Sequence, residues 1–151
     1  MSKSDLANRI QQDTIAAMKA RHKDRLTVMR MMQAAIKQVE IDTREELDEA
    51  GVQQVLRVYL KKVKDSLAGA RESGRAGLTA QAEAELAIVQ SYLPAELDDD
   101  ALVGLVREAI VETGAETMKD MGKVMKAAMA KTGGRADGNR VSALVKSLLA
   151  G

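Results

Sequence analysis

Apolar residues recur at three- and four-residue spacing along nearly the whole of this chain, and no stretch alternates apolar and polar residues as a half-buried strand would. Ala, Leu, Met, Gln, Glu and Lys, all good helix formers, dominate, and the one proline is Pro94. The pattern predicts an all-α fold of seven helices. Four of them, over about 4–21, 24–40, 52–72 and 79–92, form an N-terminal helical hairpin or bundle spanning 1–94. Three more make a small C-terminal domain, 95–151: one between Asp98 and Gly114, one over 117–131 ahead of Gly133-Gly134, and one after Asp137. Ser4, Asp98, Thr117 and Asp137 are the expected N-caps, because a short side-chain oxygen there can accept a free amide of the first turn. Val52, Val55, Leu56, Tyr59, Val63, Leu67 and Ala70 give the third helix its apolar face. Leu86, Ile88 and Val89 are the centre of the fourth. Val141, Leu144, Val145, Leu148 and Leu149 form a stripe on the last.

Composition narrows the chemistry. The 151 residues contain no Cys, Trp or Phe, one His (His22) and two Tyr (Tyr59, Tyr92). Thiol nucleophiles, disulfides, thiolate zinc sites and iron–sulfur clusters are thereby excluded, as is a two-histidine metal site within one chain. His22 sits in Arg-His-Lys and is expected at a solvated helix junction. No phosphate loop, dinucleotide fingerprint or nucleophile elbow occurs, so no catalytic, cofactor or metal residues are assigned. The acidic runs at Asp48-Glu49 and Asp98-Asp99-Asp100 read as solvated linkers. No membrane-length apolar run or signal-peptide core is present, and a cytoplasmic location is expected. Two aromatic residues cannot build a base-stacking platform, so any nucleic acid would be held through charge and shape.

Net charge is +1, yet it is unevenly spread: +4 over 1–75, −6 over 76–100 and +3 over 101–151. In the third helix Arg57, Lys61, Lys64 and Arg71 fall within about 80° of one another, a row roughly 20 Å long that could follow a phosphate backbone. The solvated side of any amphipathic helix carries similar residues, and Arg30 and Lys37 of the second helix would widen the patch if they lie beside it. In the sixth helix Lys119, Lys123 and Lys126 are rotated away from a methionine stripe, Met118, Met121, Met125 and Met129, expected to be core. Gly122 beside that stripe is expected to permit close helix approach. The Gly133–Gly138 loop, with Arg135 ahead of a helix start, has the composition of an anion-receiving turn or of a plain interhelix turn in which Asp137 serves as the cap.

Four segments resemble the GatB/YqeY family: Arg30-Met31-Met32-Gln33-Ala34-Ala35-Ile36-Lys37; Glu85-Leu86 with Ile88 and Tyr92-Leu93-Pro94; Gly114-Ala115 with Lys119-Asp120-Met121-Gly122-Lys123-Val124-Met125; and Gly134-Arg135-Ala136-Asp137-Gly138 with Val141-Ser142, Val145-Lys146 and Leu149. The loop over 74–81 departs from the family pattern, lacking acidic residues near Gly77 and Ala82, so no cap for the fourth helix can be read there. The resemblance implies an all-helical N-terminal part and a C-terminal part similar to the tail domain of the B subunit of the tRNA-dependent amidotransferase. That enzyme is a carbon–nitrogen ligase with glutamine as amide donor, and a similar module is appended to some glutaminyl-tRNA synthetases. It further implies tRNA as partner, with an amidotransferase or aminoacyl-tRNA synthetase as protein partner. The residues it points to are Lys119, Lys123, Lys126, Gly134, Arg135 and Arg140, to which the charge row adds Arg57, Lys61, Lys64 and Arg71. The expected function is a small non-catalytic tRNA-binding adaptor. A protein-interaction module without an RNA role and an accessory part of an amidotransferase stand as alternatives.

Overall fold

The computed structural model describes residues 2–133 and 135–150. The described residues form seven α-helices and no strand: α1 (Asp5–Lys19), α2 (Lys23–Thr43), α3 (Glu49–Glu72), α4 (Ala76–Gln90), α5 (Asp99–Thr113), α6 (Met121–Thr132) and α7 (Gly138–Ala150), with a 3₁₀ turn (Met118–Asp120) leading into α6. They divide into two compact units, residues 1–94 and 95–151. No helix among the described residues is long and apolar enough to cross a membrane.

In the first unit α1 and α2 form an antiparallel hairpin closed by three residues, and α3 packs along α4. Each helix turns its apolar stripe inward. Leu6 and Ile10 of α1, Met29, Met32 and Ile36 of α2, Val52, Leu56, Leu60 and Val63 of α3, and Val89 of α4 meet in one core, closed by Tyr59 and Tyr92. Leu86 and Ile88 pack at its edge.

The ends of these helices are set by polar contacts. Ser4 caps α1: its Oγ accepts from Ala7 N at 3.1 Å. That hydroxyl also donates to Glu49 Oε1 at 2.5 Å, and the same carboxylate accepts from Leu6 N at 3.1 Å. Asp48 caps α3 by accepting from Gly51 N at 2.8 Å, while Glu40 accepts from Leu47 N at 2.9 Å. The acidic stretch is therefore not a mere solvated linker: α2 runs to Thr43 and α3 begins at Glu49, because these carboxylates satisfy the amides of the connection and of two helix starts. Asp98 likewise caps α5, with Asp99 and Asp100 in its first turn, where the positive end of the helix dipole favours them. α4 begins at Ala76 with no side-chain cap, in keeping with the departure from the family pattern at that loop.

In the second unit Leu102, Val106 and Ala109 of α5 pack on Val124 and Ala128 of α6, Ala136, and Val141 and Val145 of α7. Leu97 N donates to Arg135 O at 2.8 Å, tying the segment before α5 to the loop before α7. The centre of the α6 core face is Val124–Ala128–Thr132, which corrects the expectation for the methionine stripe: Met121 and Met125 are only partly buried, and Met118 and Met129 are 44% and 38% exposed. The core centre lies on the small residues because α5 and α7 approach that side, and this rotates the methionines to the rim. Gly122 is corrected as well, since a Cβ built on it would meet nothing within 4 Å.

Candidate nucleic-acid interface

The base of α6 is fixed before its lysines are displayed. Thr117 and Asp120 form a reciprocal capping box around the 3₁₀ turn. Asp120 Oδ2 accepts from Glu116 N at 3.1 Å and Thr117 N at 3.4 Å, and these amides, with a smaller contribution from Lys123, hold its carboxyl below the usual range. Lys131, in the last turn of α6, clasps α5 through Glu112 at 2.7 Å and Glu108 at 3.7 Å. The Glu112 contact strengthens its hold on its proton. Between these two anchors Lys123 and Lys126 stand about 60° apart and roughly opposite Val124 and Ala128. With Lys119 they are exposed, and none of the three ammonium groups forms an ion pair among the described residues.

The two arginines named with them also make contacts within the unit. Arg135 folds back on the end of α6, its Nε donating to Thr132 O at 2.9 Å and its guanidinium to Lys131 O at 3.4 Å. It thus satisfies carbonyls that a helix C-terminus leaves open. Arg140 of α7 pairs with Asp99 of α5 at 2.9 Å. Asp137 accepts from Asn139 N at 3.0 Å, so the start of α7 already has a carboxylate of its own. Gly134 lies outside the described residues.

In the first unit the α3 row is divided. Lys61 is exposed. Arg57 and Lys64 are half-buried, and burial pulls the Arg57 guanidinium below its ordinary value. Arg71 is exposed but bridges to Glu83 of α4 at 3.1 Å. Arg30 and Lys37 are exposed on α2. Sequence reasoning passed over Lys23 and Arg44, which continue those two at a constant spacing of seven residues; the repeat itself was the available signal.

Both aromatic rings are interior, Tyr59 at 9% and Tyr92 at 5% exposure, so neither offers a face to a base. Tyr59 donates to Glu85 and Tyr92 to Asp13, and Arg9 covers the Tyr92 ring with its guanidinium carbon 4.5 Å from the centroid. A cleft of about 330 Å³ beside this cluster is lined by Asp5, Arg9, Glu49, Gln53 and Tyr92 among others. Its Arg9 is committed to Ser91 O at 3.1 Å and its Glu49 to the α1 cap. Among the described residues no three His, Asp or Glu side chains are grouped to hold a metal ion.

Comparison with known families now bears on this arrangement. A model of YqeY-like proteins matches residues 7–149 and so spans both units. The chain belongs to the YqeY-like family. This is the GatB/YqeY domain to which the sequence motifs pointed, and the motifs on α6 and before α7 supply the capping box, the exposed lysines and the Arg135 lock described above. No curated protein matches the chain in sequence.

Proposed function

We propose that this chain is a small non-catalytic adaptor that binds structured tRNA, with Lys119 of the 3₁₀ turn and Lys123 and Lys126 of α6 as its principal phosphate contacts. One observation carries the reading: three exposed ammonium groups, none in an ion pair among the described residues, project from the 3₁₀ turn and the first two turns of α6, whose backbone is anchored at both ends, so they form a local cluster of available cations. The buried tyrosines support contact through the backbone rather than through bases. Arg135 and Arg140 act behind the surface by holding the α6 end and the α7 start in place. Lys61 and Arg71 of α3 are a separate set of candidate phosphate contacts in the first unit. On this reading residues 95–151 act as the amidotransferase-tail-like part, and the protein partner is an amidotransferase or an aminoacyl-tRNA synthetase to which the chain brings tRNA.

The test is a fluorescence-anisotropy titration with bulk tRNA over a series of salt concentrations. Binding should weaken steeply with salt. Replacing Lys119, Lys123 and Lys126 together by Glu should lower the slope of log K against log salt by about 2–3, the share of three released counterions. Absence of binding at low salt, or an unchanged titration for the triple variant, overturns the reading.

A further inference from the structure

The outer face of α2 carries a regular pattern that the RNA reading does not use. Lys23, Arg30 and Lys37 of α2 recur every seven residues, Arg44 follows at the same spacing as the left-handed residue just past the helix end, and all four are exposed. None of their side chains forms an ion pair among the described residues. Seven residues advance a helix by about 10.5 Å while turning it back by about 20°, so Lys23, Arg30 and Lys37 make a shallow left-handed row about 20 Å long, which Arg44 prolongs beyond the helix end.

The positions between them are equally regular. Thr27, Ala34 and Ile41 follow Lys23, Arg30 and Lys37 by four residues, and all are exposed, Ile41 at 59%. Thr27 donates its hydroxyl to Lys23 O at 3.0 Å, which leaves its methyl group as the outward contact. The seam therefore alternates a cation with a small or aliphatic group. Neighbouring α1 leaves Ile15 at 42% and Met18 at 50% exposure, and Gln11 of α1 joins Lys37, Ile41 and Arg44 around a shallow depression of about 490 Å³. Glu40, Glu45 and Glu46 also border this depression and keep their charge, Glu40 accepting from Leu47 N and Glu46 from Lys3 N, so the positive character of the face is greatest over Lys23 and Arg30, away from the depression.

We infer that this face of the α1–α2 hairpin is a docking surface for an acidic amphipathic helix of a partner protein. Such a helix has carboxylates seven residues apart and aliphatic side chains between them. The match is one of period as well as sign. Carboxylates at heptad spacing on a second helix fall at the same ~10.5 Å interval, and the −20° drift per repeat suits two helices crossing at about 20°. Thr27, Ala34 and Ile41 are small enough along most of the seam for close approach, and they gain from burial against apolar side chains. A nucleic-acid backbone fits less well. Its charges repeat at about 3.4 Å along each strand of a duplex, and it has nothing apolar to set against the aliphatic positions.

The experiment uses the full chain and a fluorescent helical peptide of about 21 residues with Glu at every seventh position and Leu four residues after each. A control peptide has the same composition in scrambled order. The ordered peptide should bind at least about tenfold more tightly than the scrambled one, since several weak ion pairs act together only in register. Arg30→Glu with Lys37→Glu should remove about tenfold or more of that affinity, leave the far-UV circular dichroism unchanged and leave tRNA binding unchanged. Ala34→Asp, which puts a carboxylate into the seam, should weaken the peptide to a similar degree. Equal binding of the two peptides, no binding of the ordered one, or a double variant that loses tRNA rather than peptide overturns the inference. Failure of the wild-type chain to bind tRNA overturns the RNA reading alone, because the peptide arm is independent of it.

Discussion

Ser4 shows how much one small polar side chain decides in the first unit. It is fully buried, accepts the Ala7 amide and donates to Glu49, whose carboxylate also receives the Leu6 amide. The starts of α1 and α3 are joined through that hydroxyl and the Leu6 amide beside it. Ser4→Ala removes the cap and strips Glu49 of one partner, so the first unit should lose about 1–2 kcal/mol, read from its urea midpoint. Tyr92 makes a prediction on the alkaline side. Burial first, and then the hydrogen bond and charge of Asp13, push its phenol up to about 12, against a smaller opposing pull from Arg25. The folded state keeps this proton at a pH where the unfolded chain has lost it. The associated stability is complete below pH 10, the ordinary tyrosine value, and is lost as pH rises from there to about 12. Tyr59, raised by burial and by Glu85, acts in the same direction. Urea melts between pH 9.5 and 12 should show the decline, and Tyr92→Phe should make it shallower; an identical slope in the variant rules out Tyr92 as a source.

At the scale of the element, local chemistry was legible and distant pairing was not. The caps at Ser4, Asp98 and Thr117 could be read because a cap needs only residues within one turn, and the helix count followed from a spacing that repeats. The α3 start was missed by three residues, since Asp48 is one carboxylate in an acidic run and nothing local distinguishes it from its neighbours. The methionine stripe was misplaced because periodicity identifies an apolar side about 100° wide without marking its centre, which the packing of α5 and α7 decides. The Arg140–Asp99 pair could not be read from sequence, because the two residues lie 41 positions apart. Two glycines of the second unit separate propensity from backbone constraint. Gly104 is an exposed interior residue of α5 whose added Cβ meets nothing within 4 Å. Gly104→Ala should therefore stabilise this unit by about 0.5–1 kcal/mol in thermal unfolding. Gly114 ends the same helix at φ +66°, where a Cβ is strained whatever the space, and Gly114→Ala should cost about 1–2 kcal/mol. Equal effects from the two substitutions would refute this account of the α5 terminus.

At the scale of the whole molecule, the two cores share no buried residue among the described residues, so the units should unfold as separate cooperative steps. The second is small enough for its stability to be marginal, since a domain of about 60 residues buries only about 60% of its unfolded surface. The sequence supplies a way to see the steps apart. Both tyrosines, Tyr59 and Tyr92, belong to residues 1–94, and residues 95–151 contain no aromatic residue. Tyrosine fluorescence therefore reports the first unit alone, whereas helical circular dichroism reports both. In a urea titration of the intact chain the fluorescence should give one transition and the circular dichroism a second in addition. Ser4→Ala should move the fluorescence transition to lower urea and leave the other in place. Gly104→Ala should move only the transition that fluorescence does not see, to higher urea. Superimposable curves from the two probes, displaced together by either substitution, would mean that the units unfold as one, and the division of the molecule into independent cores would have to be given up.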